Sequence, residues 1–319
     1  MINYSFIEEE NKYILNKQNY SIRRQALYPS ESSVECTIDG RKHVVGKCLR
    51  AAFWRATGEP KTNPGGIRLA MQGILGKIIE QETVDRWKQM GIWEDNNVKF
   101  FDANLILSGE LDILTKIVDG KKIGIEMKTY GGQKAESELY GKKGVKKKDG
   151  TWSDKLPRVY GVPKEHQFLQ AVIYSHKYVT ELKLLDEYRM YYFNRENGNR
   201  AEFVVGADKK EDGTYQCWWE QVPGDYWNAY KEGKIYRPYT IEDINARSKK
   251  LITYIQKKEL PPKDFTYEPS DDWVEWAGKN NIISSSKCKK HFEKGSKKEL
   301  YRSWECCFCD FRDKCLSGE

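Results

Sequence analysis

Ser108-Gly109-Glu110-Leu111-Asp112-Ile113-Leu114 and, after a short gap, Ile123-Gly124-Ile125-Glu126-Met127-Lys128-Thr129 decide the fold of this chain. Both stretches alternate apolar and polar residues, the period of a half-buried β-strand. On the second, Glu126 and Lys128 share one face and Ile123, Ile125 and Met127 the other. On the first, Leu111, Ile113 and Ile117 lie on one face, with Asp112 opposite. The segment 98–130 therefore reads as a hairpin, and packing constrains its register. A plain two-residue turn at Asp119-Gly120 would pair Val118 with Lys121. It would set Asp112 across from Met127 and apolar Ile113 across from Glu126, mixing both faces. The apolar pattern asks instead for an odd-length or bulged turn. That register aligns the apolar sets and brings Asp112 beside Lys128 or a near neighbour on its face.

Outward from this hairpin the pattern turns helical. A long helix is expected over 67–90 and another over 164–181, whose apolar stripe is Phe168, Leu169, Val172 and Ile173. Upstream, a helix is expected from Val45 to Thr57. Residues 131–160 are polar and rich in Gly and Lys, the composition of a flexible loop. Residues 187–206 read as two strands turned by Asn197-Gly198. Ile241 to Lys257 reads as an amphipathic helix, with Ile244, Leu251, Ile252 and Ile255 inward and Pro261-Pro262 ending the element. Helices before, between and after a few strands define a mixed α/β fold. The expected division is an N-terminal helical segment (1–66), a core (67–260) and a Lys- and Cys-rich C-terminal segment (261–319), forming one compact unit.

The chain has 319 residues, 39% apolar and 13% aromatic, enough for a substantial core. Its formal net charge of +7 points toward an anionic partner. The first twenty residues carry acids and no apolar run, unlike a signal peptide. No apolar stretch reaches the length of a membrane span. A cytoplasmic protein is expected, in a bacterial, archaeal or phage-infected cell. There the eight cysteines would stay reduced, which favours metal ligation over disulfides.

Two carboxylates and a lysine on one sheet face have a clear chemical use. Carboxylate oxygens suit Mg²⁺ or Mn²⁺. Such an ion polarises a phosphodiester and acidifies a bound water. Lys128 would orient that water or neutralise charge developing in the transition state.

In this context the residues resemble the PD-(D/E)XK nucleases of the RecB family, which carry Gly-x-x-Asp on one strand and Glu-x-Lys on the next, as Gly109–Asp112 and Glu126–Lys128 do. The upstream helix of that family is matched by Gly76-Lys-Ile-Ile-Glu80. Its downstream Gln-x-x-x-Tyr helix is matched by Gln170-Ala-Val-Ile-Tyr174, with His166 on the same helical face. Cys306-x2-Cys309-x5-Cys315, with Cys48 far upstream, is similar to the iron–sulfur subgroup: CRISPR-adaptation exonucleases, AddB-type nuclease domains and related phage proteins. The resemblance spans nearly the whole chain. It implies a restriction-endonuclease-like core, a mixed sheet flanked by helices, with Asp112, Glu126 and Glu80 holding the metal and Lys128 assisting the water. Gln170 and Tyr174 would position the DNA strand or the lysine. It also implies Cys48, Cys306, Cys309 and Cys315 as ligands of a structural [4Fe–4S] cluster joining the N- and C-terminal segments. Four thiolates hold Zn²⁺ equally well by spacing, so zinc stays open. Cys307 could exchange with Cys306. Cys36, Cys217 and Cys288 read as small buried or partly buried thiols.

Lys142, Lys143, Lys146, Lys147 and Lys148, with Trp152 nearby, suit phosphate neutralisation and base stacking, or serve only to solubilise a loop. A second basic cluster runs from Lys287 to Arg302. Arg50 and Arg55 flank Cys48 on its helix and are expected to face DNA. The implied activity is a Mg²⁺- or Mn²⁺-dependent exonuclease preferring single-stranded DNA ends, acting in recombination, phage DNA metabolism or CRISPR spacer processing. The resemblance implies recombination, helicase or CRISPR-adaptation partner proteins, and with no nucleotide-binding P-loop in the sequence any unwinding would need such a partner. Two other readings remain: an inactive DNA-binding scaffold subunit, and an endonuclease, zinc-stapled or of restriction type.

Overall fold

The computed structural model describes residues 6–18, 26–141, 147–151, 160–224, 229–280, 282–293 and 300–318. From the N-terminus come α1 (Phe6–Gln18), the hairpin β1 (Ser33–Ile38) and β2 (Arg41–Gly46), then α2 (Leu49–Thr57) and α3 (Ile67–Gln89). Strands β3 (Trp93–Asp102), β4 (Leu107–Val118) and β5 (Lys121–Tyr130) follow, then α4 (Gln133–Tyr140) and α5 (Glu165–Ser175), which runs on as a π-helical turn (His176–Glu181). Next are β6 (Glu187–Asn194), β7 (Arg200–Lys209), β8 (Tyr215–Gln221) and β9 (Ile235–Thr240). The chain continues through α6 (Ile241–Lys257), α7 (Asp271–Lys279), α8 (Ser285–Phe292), α9 (Trp304–Cys307) and α10 (Arg312–Ser317).

Where the sequence suggested one compact unit, these elements group into two. The sheet unit holds the described residues of 26–32 and 72–246; the other holds those of 1–25, 33–71 and 247–319. Its second boundary falls inside α6, upstream of the division expected at 260.

The sheet unit is an α/β fold on a seven-stranded mixed sheet in the order β3-β4-β5-β6-β7-β8-β9. Only β5 and β6 run parallel, with Glu126 opposite Met190 and Lys128 opposite Tyr192. One face packs on α3, where Val84, Ile79 and Trp87 meet Ile113, Ile123, Ile125 and Met127. On the other face α5 buries Phe168, Leu169, Val172 and Ile173, the stripe read from the sequence. Ser175 Oγ at the end of α5 donates to the Val205 carbonyl of β7 at 2.8 Å.

The β4–β5 connection resolves the register differently from a longer turn. Val118 pairs with Lys121, so the turn is the two-residue Asp119-Gly120, with φ of 49° and 77°. These positive angles fit the twist of a tight hairpin. Further along, Leu114 pairs with Gly124 and Ile113 with Ile125. Thr115 and Lys116 together oppose Ile123, a β-bulge that shifts the ladder by one residue. The Thr115 hydroxyl accepts the Ile123 N–H at 3.1 Å, satisfying a buried donor at the bulge. The apolar sets align as their pattern requires, with the extra residue inside β4.

Two other expectations need correction. The helix expected from Val45 starts only at Leu49, because Asp39-Gly40 (φ 48° and 71°) turns the β1–β2 hairpin and β2 extends to Gly46. The stretch 131–160, expected to be all loop, contains α4. In the other unit Val274, Ala277, Ile283 and Tyr301 form a small core under α7. No helix of the described residues is long and apolar enough to cross a membrane.

Candidate functional site

Glu126 is fully buried in the middle of β5, an expensive position for a carboxylate without partners. It has two. Lys128 Nζ donates to Oε1, and the Tyr188 hydroxyl of β6 donates to Oε2 at 3.1 Å. Asp112 stands beside them, its Oδ2 accepting the Met127 N–H at 2.8 Å. Ile113 pairs with Ile125, so one step further along the ladder Asp112 falls opposite Glu126. Burial, with the Glu126 charge next in weight, pushes the Asp112 carboxyl well above the usual range, against the pull of Lys128. For Lys128 burial works against the ammonium, but Glu126 and Asp112 outweigh it and hold the lysine above its ordinary value. Glu80 of α3 belongs to the same electrostatic group. Burial and the nearby Glu126 raise it, and Lys128 opposes them.

The glycines of the two motifs have steric reasons. A Cβ on Gly109 would lie 2.3 Å from Phe100 and 2.4 Å from Tyr174. The Tyr174 ring thus rests on the β4 backbone, and its hydroxyl accepts the Glu110 N–H at 3.4 Å and hydrogen-bonds Gln170. Gln170 and Tyr174 therefore brace the strand that carries Asp112. On α3, a Cβ on Gly76 would come within 3.3 Å of Thr129 Oγ1, so that turn approaches the end of β5 closely. Glu80 sits one turn further along α3. Tyr188 was missed in the sequence. Its alternation with Met190 and Tyr192 marks a buried face, but nothing local gives the parallel register that sets it under Glu126.

In the other unit Cys48, Cys306, Cys309 and Cys315 line one cavity of about 330 Å³, with Trp54 and Phe265 among its walls. The tail carrying three of them is stitched to the segment after α2. Thr62 and Asn63 N–H donate to the Asp310 carbonyl at 3.0 and 2.8 Å, and Asn63 Nδ2 donates to the Cys309 carbonyl at 3.0 Å. Trp54 and Phe311 pack with ring centroids 5.5 Å apart. Burial raises all of Cys48, Cys306 and Cys309; Cys306 is pushed up to about 12, the other three thiols adding to the burial cost. Cys307 is not among the cavity walls. Cys36 and Cys217 are buried thiols, and Cys288 fits the notch left by Gly278.

Among the described residues no three His, Cys, Asp or Glu side chains stand close enough, as placed, to ligate a single metal ion.

Of the residues expected to meet DNA, Arg50 donates to the Pro261 carbonyl at 2.7 Å and lies over the Trp54 ring. Arg55 is ion-paired with Asp310 at 3.0 Å, part of the stitching and not an open cation. Lys147 and Lys148 are exposed. Lys142, Lys143, Lys146 and Trp152 lie outside the described residues.

No protein-family model and no curated protein matches this chain. Among solved structures it is similar to the crystal structure of SSO0001, at 14% identity over 88% of this chain and 98% of that one, with a TM-score of 0.36.

Proposed function

We propose that the chain is a Mg²⁺- or Mn²⁺-dependent DNA nuclease with a PD-(D/E)XK core, an exonuclease acting on single-stranded ends. The observation that carries this reading is the desolvated group of Asp112, Glu126 and Lys128, with Glu80 in the same field. Surface charges on a solvated sheet would not be buried against one another in this way. A carboxyl held high by burial and by a charged neighbour is a common mark of a working centre.

Asp112, Glu126 and Glu80 would hold the ion. Their oxygens are the right donors, and a divalent cation would offset the burial and the Glu126 charge that lift Asp112. Bound there, the ion supplies Lewis-acid activation of a phosphodiester and an acidified water. Tyr188 fixes the carboxylate plane of Glu126, and the Met127 N–H fixes Asp112. The Lys128 ammonium stays charged beside Glu126, where it can orient the attacking water and offset charge on the phosphoryl oxygens. Gln170 and Tyr174 hold β4 so that Asp112 keeps its distance from Glu126.

Cys48, Cys306, Cys309 and Cys315 would hold a structural [4Fe–4S] cluster. Their thiols are among the residues that line one cavity of about 330 Å³. Zinc in the same four thiols is the alternative. Such a cluster would clasp the start of α2 to the C-terminal tail.

The exonuclease reading is tested with end-labelled linear and closed-circular single strands, each with Mg²⁺ or Mn²⁺. Linear strands should be degraded and circles spared. Equal cleavage of circles would make the enzyme an endonuclease, and no cleavage with either ion would favour a DNA-binding scaffold.

A further inference from the structure

A second cavity, of about 370 Å³, lies in the unit that contains the cysteines, and no cysteine lines it. Its walls carry Lys42, His43, Arg247, Lys250 and Lys263 against two carboxylates, Glu35 and Asp264. Both carboxylates are already engaged. Glu35 accepts Lys42 Nζ at 3.0 Å. Asp264 accepts the Leu49 N–H at 2.6 Å and faces Arg247 Nη2 at 2.6 Å. What is left over is positive.

The buried part of the site is Arg247, only 5% exposed. Its Nε donates to Ser33 Oγ at 2.9 Å, which fixes the guanidinium plane. Its Nη2 is ion-paired to Asp264 at 2.6 Å, which holds the guanidinium from a second side. One helical turn along α6, Lys250 occupies the same face. It is exposed and has no hydrogen bond or ion pair among the described residues. The Lys42 hydrogen bond, with Arg247 and Lys250 adding charge, holds Glu35 below the usual carboxylate range.

We infer that this cavity is an oxyanion site that takes a phosphate group, with Arg247 as its buried cation and Lys250 and Lys42 at its mouth. Guanidinium donors match phosphate geometry, and charge-assisted bonds to it are strong. The volume falls within the roughly 300–1,000 Å³ of small-molecule sites and exceeds what a lone halide needs. Arg247 is held in place before any ligand arrives, which lowers the ordering cost of binding. The phosphate can belong to a free polyphosphate or to the end of a nucleic-acid strand. The inference does not rest on the nuclease reading, since every residue it uses is outside the sheet unit.

The test is calorimetric titration of the full chain in EDTA. The probes are pyrophosphate and, separately, a 5′-phosphorylated oligonucleotide and its 5′-hydroxyl twin. Lys250→Glu should weaken binding at least about tenfold and Lys250→Gln by less, the scale of one charge-assisted contact, while Asp112→Asn leaves it unchanged. Pyrophosphate binding lost in Lys250→Glu identifies a free-phosphate site. A preference for the phosphorylated oligonucleotide alone, lost in the same variant, identifies a strand-end site. If neither probe binds, or Lys250→Glu binds like the parent, the inference is wrong. Loss in Asp112→Asn would also overturn it, because the phosphate would then be held at the other centre.

Discussion

Asp112 bears a cost that the rest of the site imposes on it. Burial and the adjacent Glu126 raise its carboxyl, and the Met127 N–H and Lys128 only partly compensate. A carboxyl whose folded pKa lies above its unfolded value favours the folded chain only where it is protonated. That contribution is complete below the ordinary aspartate range, about pH 4, and is lost as pH rises through the folded value. In EDTA at pH 8, Asp112→Asn should therefore melt higher than the parent, on the order of a few degrees. The gap should close as pH falls toward 4, and thermal melts across that range check it. An unchanged or lower melting temperature at pH 8 would mean the charge is not confined as described. At this scale Asp112, Glu126 and Lys128 were legible because strand alternation is local. Tyr188 was not, because a parallel neighbour arrives from more than fifty residues away.

The element that decides the site is the bulge in β4. A tight Asp-Gly turn and an in-phase apolar pattern conflict, and one extra residue at Thr115–Lys116 reconciles them. The apolar pattern called for the extra residue, but the turn sequence could not say where it would be inserted. Thr115→Val keeps the shape and removes the acceptor for the Ile123 N–H. Leaving that buried donor unpaired should cost about 1–3 kcal/mol, read as a lower urea midpoint, with the proposed nuclease activity falling as Asp112 loses its register. A midpoint equal to the parent's would mean the hydroxyl does not support the bulge. Some elements escaped the sequence for identifiable reasons. The β1–β2 hairpin was not read as strands, and its end at Val45 was read into the following helix, although Asp39-Gly40 carries the same turn chemistry as Asp119-Gly120. In β8, Trp218-Trp219 reads as core packing without revealing a strand, and β9 contains Pro238, which only an edge strand tolerates.

Across the whole molecule, residues distant in sequence complete both chemical centres. Cys48 and the tail from Cys306 to Cys315 line one cavity, and α3, β4, β5 and β6 converge on Glu126. The cysteine spacing was readable, but the wall contributed by Phe265 and the tail's anchoring at Asn63 depend on folding. Anaerobically purified protein should be brown. Serine at any of the four cavity cysteines should bleach it, whereas serine at Cys36 or Cys217 should not. Colourless protein with one zinc per chain would replace the cluster with an ion. The central claim concerns the carboxylate–lysine group, and its most direct measurement is Mn²⁺-dependent hydrolysis of a labelled single strand by the parent, Asp112→Ala and Lys128→Ala, each confirmed folded. The account predicts turnover by the parent and a fall of at least about a hundredfold in both variants, the scale of a lost charge-stabilising group. Comparable turnover in all three proteins would contradict it.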